Sequence, residues 1–507
     1  MIEHLSPALI ILVIALYFLL LMMVSYFTGK NSDNASFFLG NRESPWYLVA
    51  FGMIGATLSG VTFISVPGWV AASQFSYMQM VFGYLLGYFI IATVLMPMYY
   101  RLQLTSIYTY LDQRFGPSSY KTGASFFILS RVIGASFRLY LVAIVLQSFV
   151  MDPLNIPFAA TVFLTILLIW IYTFKGGIRT IVWTDSLQTF CILFAVIMTV
   201  IVIGQKLDLS FGGIVDLVKN SQYSQTFFFE GGWSDPKNFF KQFLAGASMA
   251  VVMTGLDQDM MQKNLSCKNI GDAQKNMFWF SIVLVFANLL FLSLGALLYI
   301  YAGEVGLEIP TKIVNGEIKP DSDLLFATIA LGNLGPIIGI VFILGLIAAA
   351  YSSADSALTA LTTSFCVDFL GIENKDTEEI LPEEEEKNKL TRFKVHIGFS
   401  ILLFLVIMAF RLVNDRSVIE QIFRVATYTY GPLLGLYSFG FLLQRPITDK
   451  YAPIVCIAAP IITYILNANS ELLFLGYKFG FELLILNGLI TFLGLLAISY
   501  RTEPGLE

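Results

Sequence analysis

Charge is scarce in this sequence. Asp, Glu, Lys and Arg make up 13% of its 507 residues, about half the roughly 25% of a soluble globular chain. That deficit excludes an ordinary soluble fold. Cysteine is scarce too. Cys191, Cys267, Cys366 and Cys456 follow no metal-ligand spacing, and they fall in or beside apolar runs or on the side assigned below to the cytoplasm, which argues against disulfides. His4 and His396 stand alone, without the co-ligands zinc needs. No P-loop is present: "SYFTGKN" has Gly-Lys but neither the upstream glycine nor the following Ser/Thr. HExxH and GxSxG are absent as well. Neither an enzyme nor an ATP-driven pump is therefore expected. No stretch between apolar runs reaches the roughly 50 residues of a small soluble domain. The net charge of −5 is spread over loops, so no basic footprint points to nucleic acid.

What is abundant is hydrophobic sequence, 57% of the chain. Windows of about 18 or more apolar residues recur along the whole length, and each can cross a bilayer as a helix. A closed β-barrel would show alternating segments of about ten residues instead. The expected fold is an all-α polytopic membrane protein. Spans are predicted near 7–27, 46–71, 76–100, 123–150, 156–174, 180–204, 238–258, 273–302, 336–366, 393–411, 418–443, 451–467 and 481–499. The first run is too long and too poor in early positive charge for a cleaved signal peptide and reads as a retained span. Thirteen spans put the termini on opposite sides. With the N-terminus outside, inner loops carry about twice as many Lys and Arg as outer ones, Lys263 among the inner set. That bias favours N-out, C-in. The acidic run "DTEEILPEEEEKNK" at 376–389 then reads as a solvated cytoplasmic loop.

Polar groups inside a bilayer are costly, so each is a functional candidate. The second span, "PWYLVAFGMIGATLSGVTFISVPGW", is interrupted by Gly52, Gly55 and Gly60, with Thr57, Ser59 and Thr62 among and after them. Each glycine weakens a helix by about 1 kcal/mol against alanine, so this segment can unwind and present carbonyls to Na⁺. Such small residues also permit close helix packing, and both readings stand. In "AAAYSSADSALTALTTSF", Ser352, Asp355, Ser356, Thr359 and Thr363 share one helix face. Back-bonding hydroxyls explain the serines there but leave Asp355 unexplained. In "GGIRTIVWTDSLQTF", Asp185 opens the sixth span, where a helix start also favours a carboxylate. In "GLDQDMMQKNLSCKN", Asp257 and Asp259 end the seventh span, either as part of a second broken helix or simply reaching water. Spans two and seven are five apart, which fits a five-plus-five inverted repeat. Arg131 and Arg138, both within the fourth span, need anionic or carbonyl partners. For Arg131, pairing with a protein acid or snorkelling is the plainer reading.

Together these segments resemble the sodium/solute symporter family over nearly the whole chain. "GGIRTIVWTDSLQT" is similar to its Gly-Gly…Trp/Tyr-Thr-Asp segment, "DQDMMQKNLSCKN" to its Asp-Gln-x-x-x-Gln-Lys/Arg signature, "YGPLLGLYSFGF" to its Gly-Pro-Leu-Leu-Gly-Leu signature and "SSADSAL" to its serine-rich ion-site helix. The resemblance implies a single transporter domain with a LeuT-type core: a peripheral helix at 7–27, ten core helices over 46–443 and two more peripheral helices over 451–499. It implies a sodium site made by the carbonyls of Gly55, Leu58 and Ala349 and the hydroxyls of Ser352 and Ser353. It implies a second cation site at Asp185, Ser352, Asp355 and Ser356, although members with that site show serine where this chain has Asp355. Solute contacts carried over from sialic-acid-transporting members fall on Thr57, Ser59, Thr62, Tyr77 and Gln79; their carboxylate-pairing arginine falls near Arg131 and Arg138, of which Arg138, with Asp257, is taken as a further solute contact. "TSIYTYLDQRFG" and "GPLLGL" look more like the anion-carrying branch than the sugar branch.

The expectation is symport of a small organic anion, such as sialic acid or a carboxylate, with one or two Na⁺. It would proceed by alternating access in the cell membrane of a bacterium, without ATP or nucleic acid. Three alternatives stay open: a neutral-sugar symporter, a proton-coupled carrier using Asp355 or Asp185, and a membrane sensor. Only a few residues follow the last span, which counts against a fused signalling module.

Overall fold

The computed structural model describes residues 7–29, 34–174, 177–314, 317–372, 382–412 and 418–500. Nearly all of its regular structure is helical. In chain order the main elements are α1 (Pro7–Thr28), α2 (Trp46–Ser73), α3 (Tyr77–Arg101), α4 (Pro117–Leu154), α5 (Phe158–Thr173), α6 (Gly177–Lys206), α7 (Phe239–Gly255) and α8 (Gln258–Leu265). They continue with α9 (Ile270–Glu304), α10 (Pro336–Phe369), α11 (Pro382–Phe410), α12 (Val418–Thr429), α13 (Gly431–Leu442), α14 (Ala452–Ala468) and α15 (Leu483–Ala497). An antiparallel hairpin, Thr311–Val314 with Glu317–Pro320, interrupts the connection from α9 to α10.

Nine helices among the described residues are long and apolar enough to cross a membrane, and the bent pair α7–α8 makes a tenth. The other three expected spans fall on the shorter apolar helices α5, α13 and α15. The acidic run begins outside the described residues. Its end is helical, with Glu383, Glu384 and Glu385 in the first turn of α11, where the helix dipole favours carboxylates.

The two expected discontinuities both occur, each a few residues from where glycine content alone puts it. α2 breaks at Ser59, whose backbone takes φ 32 and ψ 171. Gly52 and Gly55 stay helical instead. A β-carbon on Gly52 would sit 3.0 Å from Asp185 Cβ, and one on Gly55 would strike Thr189. These glycines therefore let α6 approach, while Gly60, beyond the break, admits Val142 of α4. The second discontinuity is a 64° bend between α7 and α8. A wide turn of π-helix, Val251–Gly255, leads into it, a distortion common at functional sites.

α10 is the central column, packed against α2, α4 and α6, while α3 packs tightly on α7. The α3–α7 seam is backbone on backbone: a β-carbon on Gly246 would fall on the Met80 carbonyl. Gly246→Ala should therefore destabilise the purified protein by about 1–3 kcal/mol, the usual cost of overpacking. Gly134→Ala, in α4 with nothing within 4 Å of the new methyl, should raise the melting temperature, because alanine is the better helix former. Thermal unfolding in detergent compares the two. Equal effects would place the seam elsewhere.

Candidate functional site

Where α2 stops being helical at Ser59, the carbonyls of its last turn lose their N–H partners. Gly55 and Leu58 lie in that turn. The neighbouring column α10 presents hydroxyls to it: Ser352 Oγ is 3.3 Å from the Gly55 carbonyl and 3.4 Å from that of Ala349, and Ser353 Oγ is 3.2 Å from the Ala349 carbonyl. All of these groups are buried. Carbonyls and hydroxyls gathered at one point make an all-oxygen donor set, the kind a hard monovalent cation accepts.

One turn further along α10 the chemistry changes from neutral oxygens to charge. Asp185 receives the Lys263 ammonium at 2.6 Å and the Ser356 hydroxyl at 3.4 Å. Asp355 accepts from the Tyr172 hydroxyl at 2.7 Å and from the Ser356 backbone N–H at 2.5 Å. The structure thus brings Asp185, Asp355 and Ser356 together, whereas the Ser352 hydroxyl turns to Gly55 and Ala349. Lys263 is a correction to the sequence reading. It is not a loop lysine in water but 1% exposed, because the 64° bend folds α8 back into the core. Tyr172 is a second residue that sequence reasoning missed.

The charged chain continues through α8 to α4. Lys263 lies 4.0 Å from Asp259. Arg131 pairs with Asp259 and lies 3.6 Å from Asp257, and the Tyr430 hydroxyl donates to Asp257. Both aspartates are buried, so neither reaches water, and Arg131 pairs with protein acids as its plainer reading required. Deleting one member of such a buried pair costs about 3–5 kcal/mol, because the other is stranded.

Beside the α2 break lies a half-open cavity of about 100 Å³. Thr57, Ser59, Thr62, Tyr77, Arg131 and Arg138 line it. Gly60 lets α4 approach so closely that a β-carbon there would be 3.5 Å from the Arg138 carbonyl. Arg138 makes no ion pair or side-chain hydrogen bond among the described residues, in contrast to Arg131. Gln79 and Asp257 are not in the lining. The Gln79 amide holds the connection before α7, donating to the Lys237 carbonyl at 2.8 Å and accepting from Phe228 N at 3.1 Å. Helical geometry explains the miss. Tyr77, Tyr84 and Tyr88 are spaced i, i+7 and i+11 and share the cavity face, and two residues along from Tyr77 points to the opposite side. That tyrosine spacing was the signal for the two lining residues missed on α3.

The family model of the sodium:solute symporter family matches residues 37–447. The chain is 26% identical to the sodium/sialic acid symporter NanT of Aliivibrio fischeri, covering 94% of this chain and 89% of that protein. It is 24% identical to the sodium/sialic acid symporter SiaT of Proteus mirabilis, covering 84% and 83%. A solved Na⁺-coupled sialic acid symporter superposes with a TM-score of 0.79 at 20% identity, over 97% of this chain and 99% of that one. Mhp1, a nucleobase-cation-symport transporter solved in a closed conformation, gives 0.53 at 13% identity. These structures share the LeuT-type fold, and at such identities the likeness is one of fold. With the model matching from just before α2 to just beyond α13, the chain belongs to the sodium:solute symporter family.

Proposed function

We propose that this chain is a multi-pass secondary transporter that couples Na⁺ entry to uptake of a small organic anion. Arg138 carries the proposal. A guanidinium lining a cavity at the level of the helix break, with no ion-pair partner among the described residues, calls for an anion. It stands beside the α2 break, whose hydroxyls can orient a carboxylate. The curated relatives named above transport sialic acid with sodium, which agrees in ion and in solute charge. A neutral-sugar carrier would leave Arg138 without a counter-charge, so this reading disfavours it. The proposed sodium ligands are the carbonyls of Gly55, Leu58 and Ala349 with the hydroxyls of Ser352 and Ser353. The ten core helices over 46–443 are proposed to form the inverted repeat. The proposed setting is a bacterial cell membrane with the N-terminus outside, from the two-to-one bias of Lys and Arg.

The number of ions turns on Lys263. A second Na⁺ between Asp185, Asp355 and Ser356 has to displace an ammonium already seated on Asp185. The proposed stoichiometry is therefore one Na⁺ per solute, with Lys263 as the tethered cation of the second site.

A thermal-shift screen of sugars, sialic acids and carboxylates, with and without Na⁺, identifies the solute, since a bound ligand stabilises by RT ln(1 + [L]/Kd). Reconstitution with Na⁺ and pH gradients imposed separately then tests the coupling. Ser352→Ala/Ser353→Ala should abolish Na⁺-stimulated uptake while leaving a folded protein by size-exclusion profile; undiminished stimulation would remove these residues from the site. Uptake should depend hyperbolically on Na⁺, with a Hill slope near one, whereas a slope near two restores a second sodium. Arg138→Lys should weaken solute binding at least tenfold, about 1.4 kcal/mol, because a bidentate pair is lost although the charge stays. Full affinity in that variant would make the arginine structural.

A further inference from the structure

A groove at the C-terminal end of α3 lies apart from the ion and solute sites. Its volume is about 750 Å³, inside the roughly 300–1,000 Å³ of small-molecule sites. It opens between α3, α13 and the short helix Thr109–Arg114 that leads to α4. Helix geometry orders the lining. On α3, Val94, Met98 and Arg101 follow at i, i+4 and i+7 and share a face. Arg101 ends the span, about 10 Å beyond Val94 at 1.5 Å per residue. On α13, Phe441 lies in the last turn and Gln444 follows the helix end. Each helix thus carries apolar side chains first and a polar one where it leaves the membrane. Val94 is exposed and continues the exposed apolar row of Leu85, Leu86 and Phe89 along α3, a surface matched to acyl chains.

The polar end is cationic. Arg101 is exposed and makes no ion pair or side-chain hydrogen bond among the described residues, and the Gln113 and Gln444 amides in the lining are equally uncommitted. Arg114, also in the lining, is fixed in place. Its Nε donates to the Gly440 carbonyl at 3.2 Å, and its Nη2 donates to the Leu443 and Arg445 carbonyls at 2.6 and 3.2 Å. These carbonyls at and beyond the end of α13 gain a donor but bring no formal charge, so the guanidinium remains a net cation. Among the described residues no Asp or Glu lines the groove; Asp112, on the same short helix, is exposed and outside the lining.

We propose that this groove binds an anionic glycerophospholipid. The phosphate meets Arg101 and the two amides, Arg114 adds a fixed positive charge, and an acyl chain follows Met98, Phe441 and Val94. Arginine suits the task because its planar, weakly hydrated fork offers a phosphate two N–H groups at once. Snorkelling accounts for an arginine at a span end, but not for a second guanidinium in the same groove or for the lack of an acid there. On the proposed orientation this end of α3 faces the cytoplasm, the side on which basic pockets between helices meet lipid headgroups.

Thermal unfolding of the full chain in a neutral detergent tests it, with dioleoylphosphatidylglycerol, dioleoylphosphatidylcholine or glycerophosphate added. Phosphatidylglycerol should raise the melting temperature at concentrations where the other two do not. Arg101→Gln should need about fivefold more phosphatidylglycerol for the same rise, the effect of one cation at a membrane surface. Lys268→Gln, at an exposed lysine outside the groove, should respond as the wild type. Equal rises with the two lipids overturn the proposal. So does an equal effect of the two substitutions, which makes the response one of diffuse charge. A matching rise with glycerophosphate overturns it in favour of a soluble phosphate. On the wild type alone, native mass spectrometry from mixed micelles should show phosphatidylglycerol retained at activation energies that strip phosphatidylcholine; equal retention overturns the proposal independently of any variant.

Discussion

The buried ion pair between Lys263 and Asp185 is the interaction on which the arrangement of the core depends. An ammonium and a carboxylate in an apolar interior are stable only when each has the other and the remaining polar sites are filled. Lys263 arrives on α8, Asp185 sits on α6, and the pair is extended by Asp259 to Arg131 on α4. That chain fixes how far α8 folds back after the 64° bend. It also occupies Arg131, one of the two arginines lining the cavity, and leaves the other, Arg138, as the proposed anion contact. Asp185 in turn holds Ser356 and so sets the register of α10, whose Ser352 and Ser353 lie one turn away beside the α2 break. The two proposed sites, for ion and for solute, are therefore positioned by one set of charges.

Much of this was legible in the sequence because the helix period is rigid. Ser352, Asp355 and Ser356 share a face by spacing alone, and Asp185 follows from the cost of burying a carboxylate. The broken second and seventh spans were legible for the same reason, as polar and glycine-rich interruptions of apolar runs. The misses have physical causes. Lys263 sits in a stretch polar enough to read as a loop, and only the bend after α7 makes it a core residue. The break at Ser59 lies past the glycines because Gly52 and Gly55 are used for close approach to α6, a demand that composition does not distinguish from unwinding. Gln79 was placed by proximity to Tyr77 along the chain, which on a helix puts it on the other side. The short spans α5, α13 and α15 were legible as apolar runs, but their lengths depend on turns set by neighbouring helices.

A charge account links the fixed lysine to the energetics of transport on the proposed reading. A monovalent anion carried with one Na⁺ moves no net charge, so the membrane potential does no work on the cycle. The sodium gradient alone then drives uptake, and a tenfold gradient supplies about 1.4 kcal/mol, which is about tenfold accumulation. A second Na⁺ would add another decade and one net charge, worth about 2.3 kcal/mol at 100 mV, for roughly 5 kcal/mol in all. A tethered ammonium stays with the protein and contributes nothing to that sum. In exchange, it neutralises Asp185 without a bound ion, so the helix contact does not depend on an ion being present. The cost of holding the second site with a lysine is concentrating power, and what it secures is a core whose charges remain paired while the neighbouring all-oxygen site empties and fills.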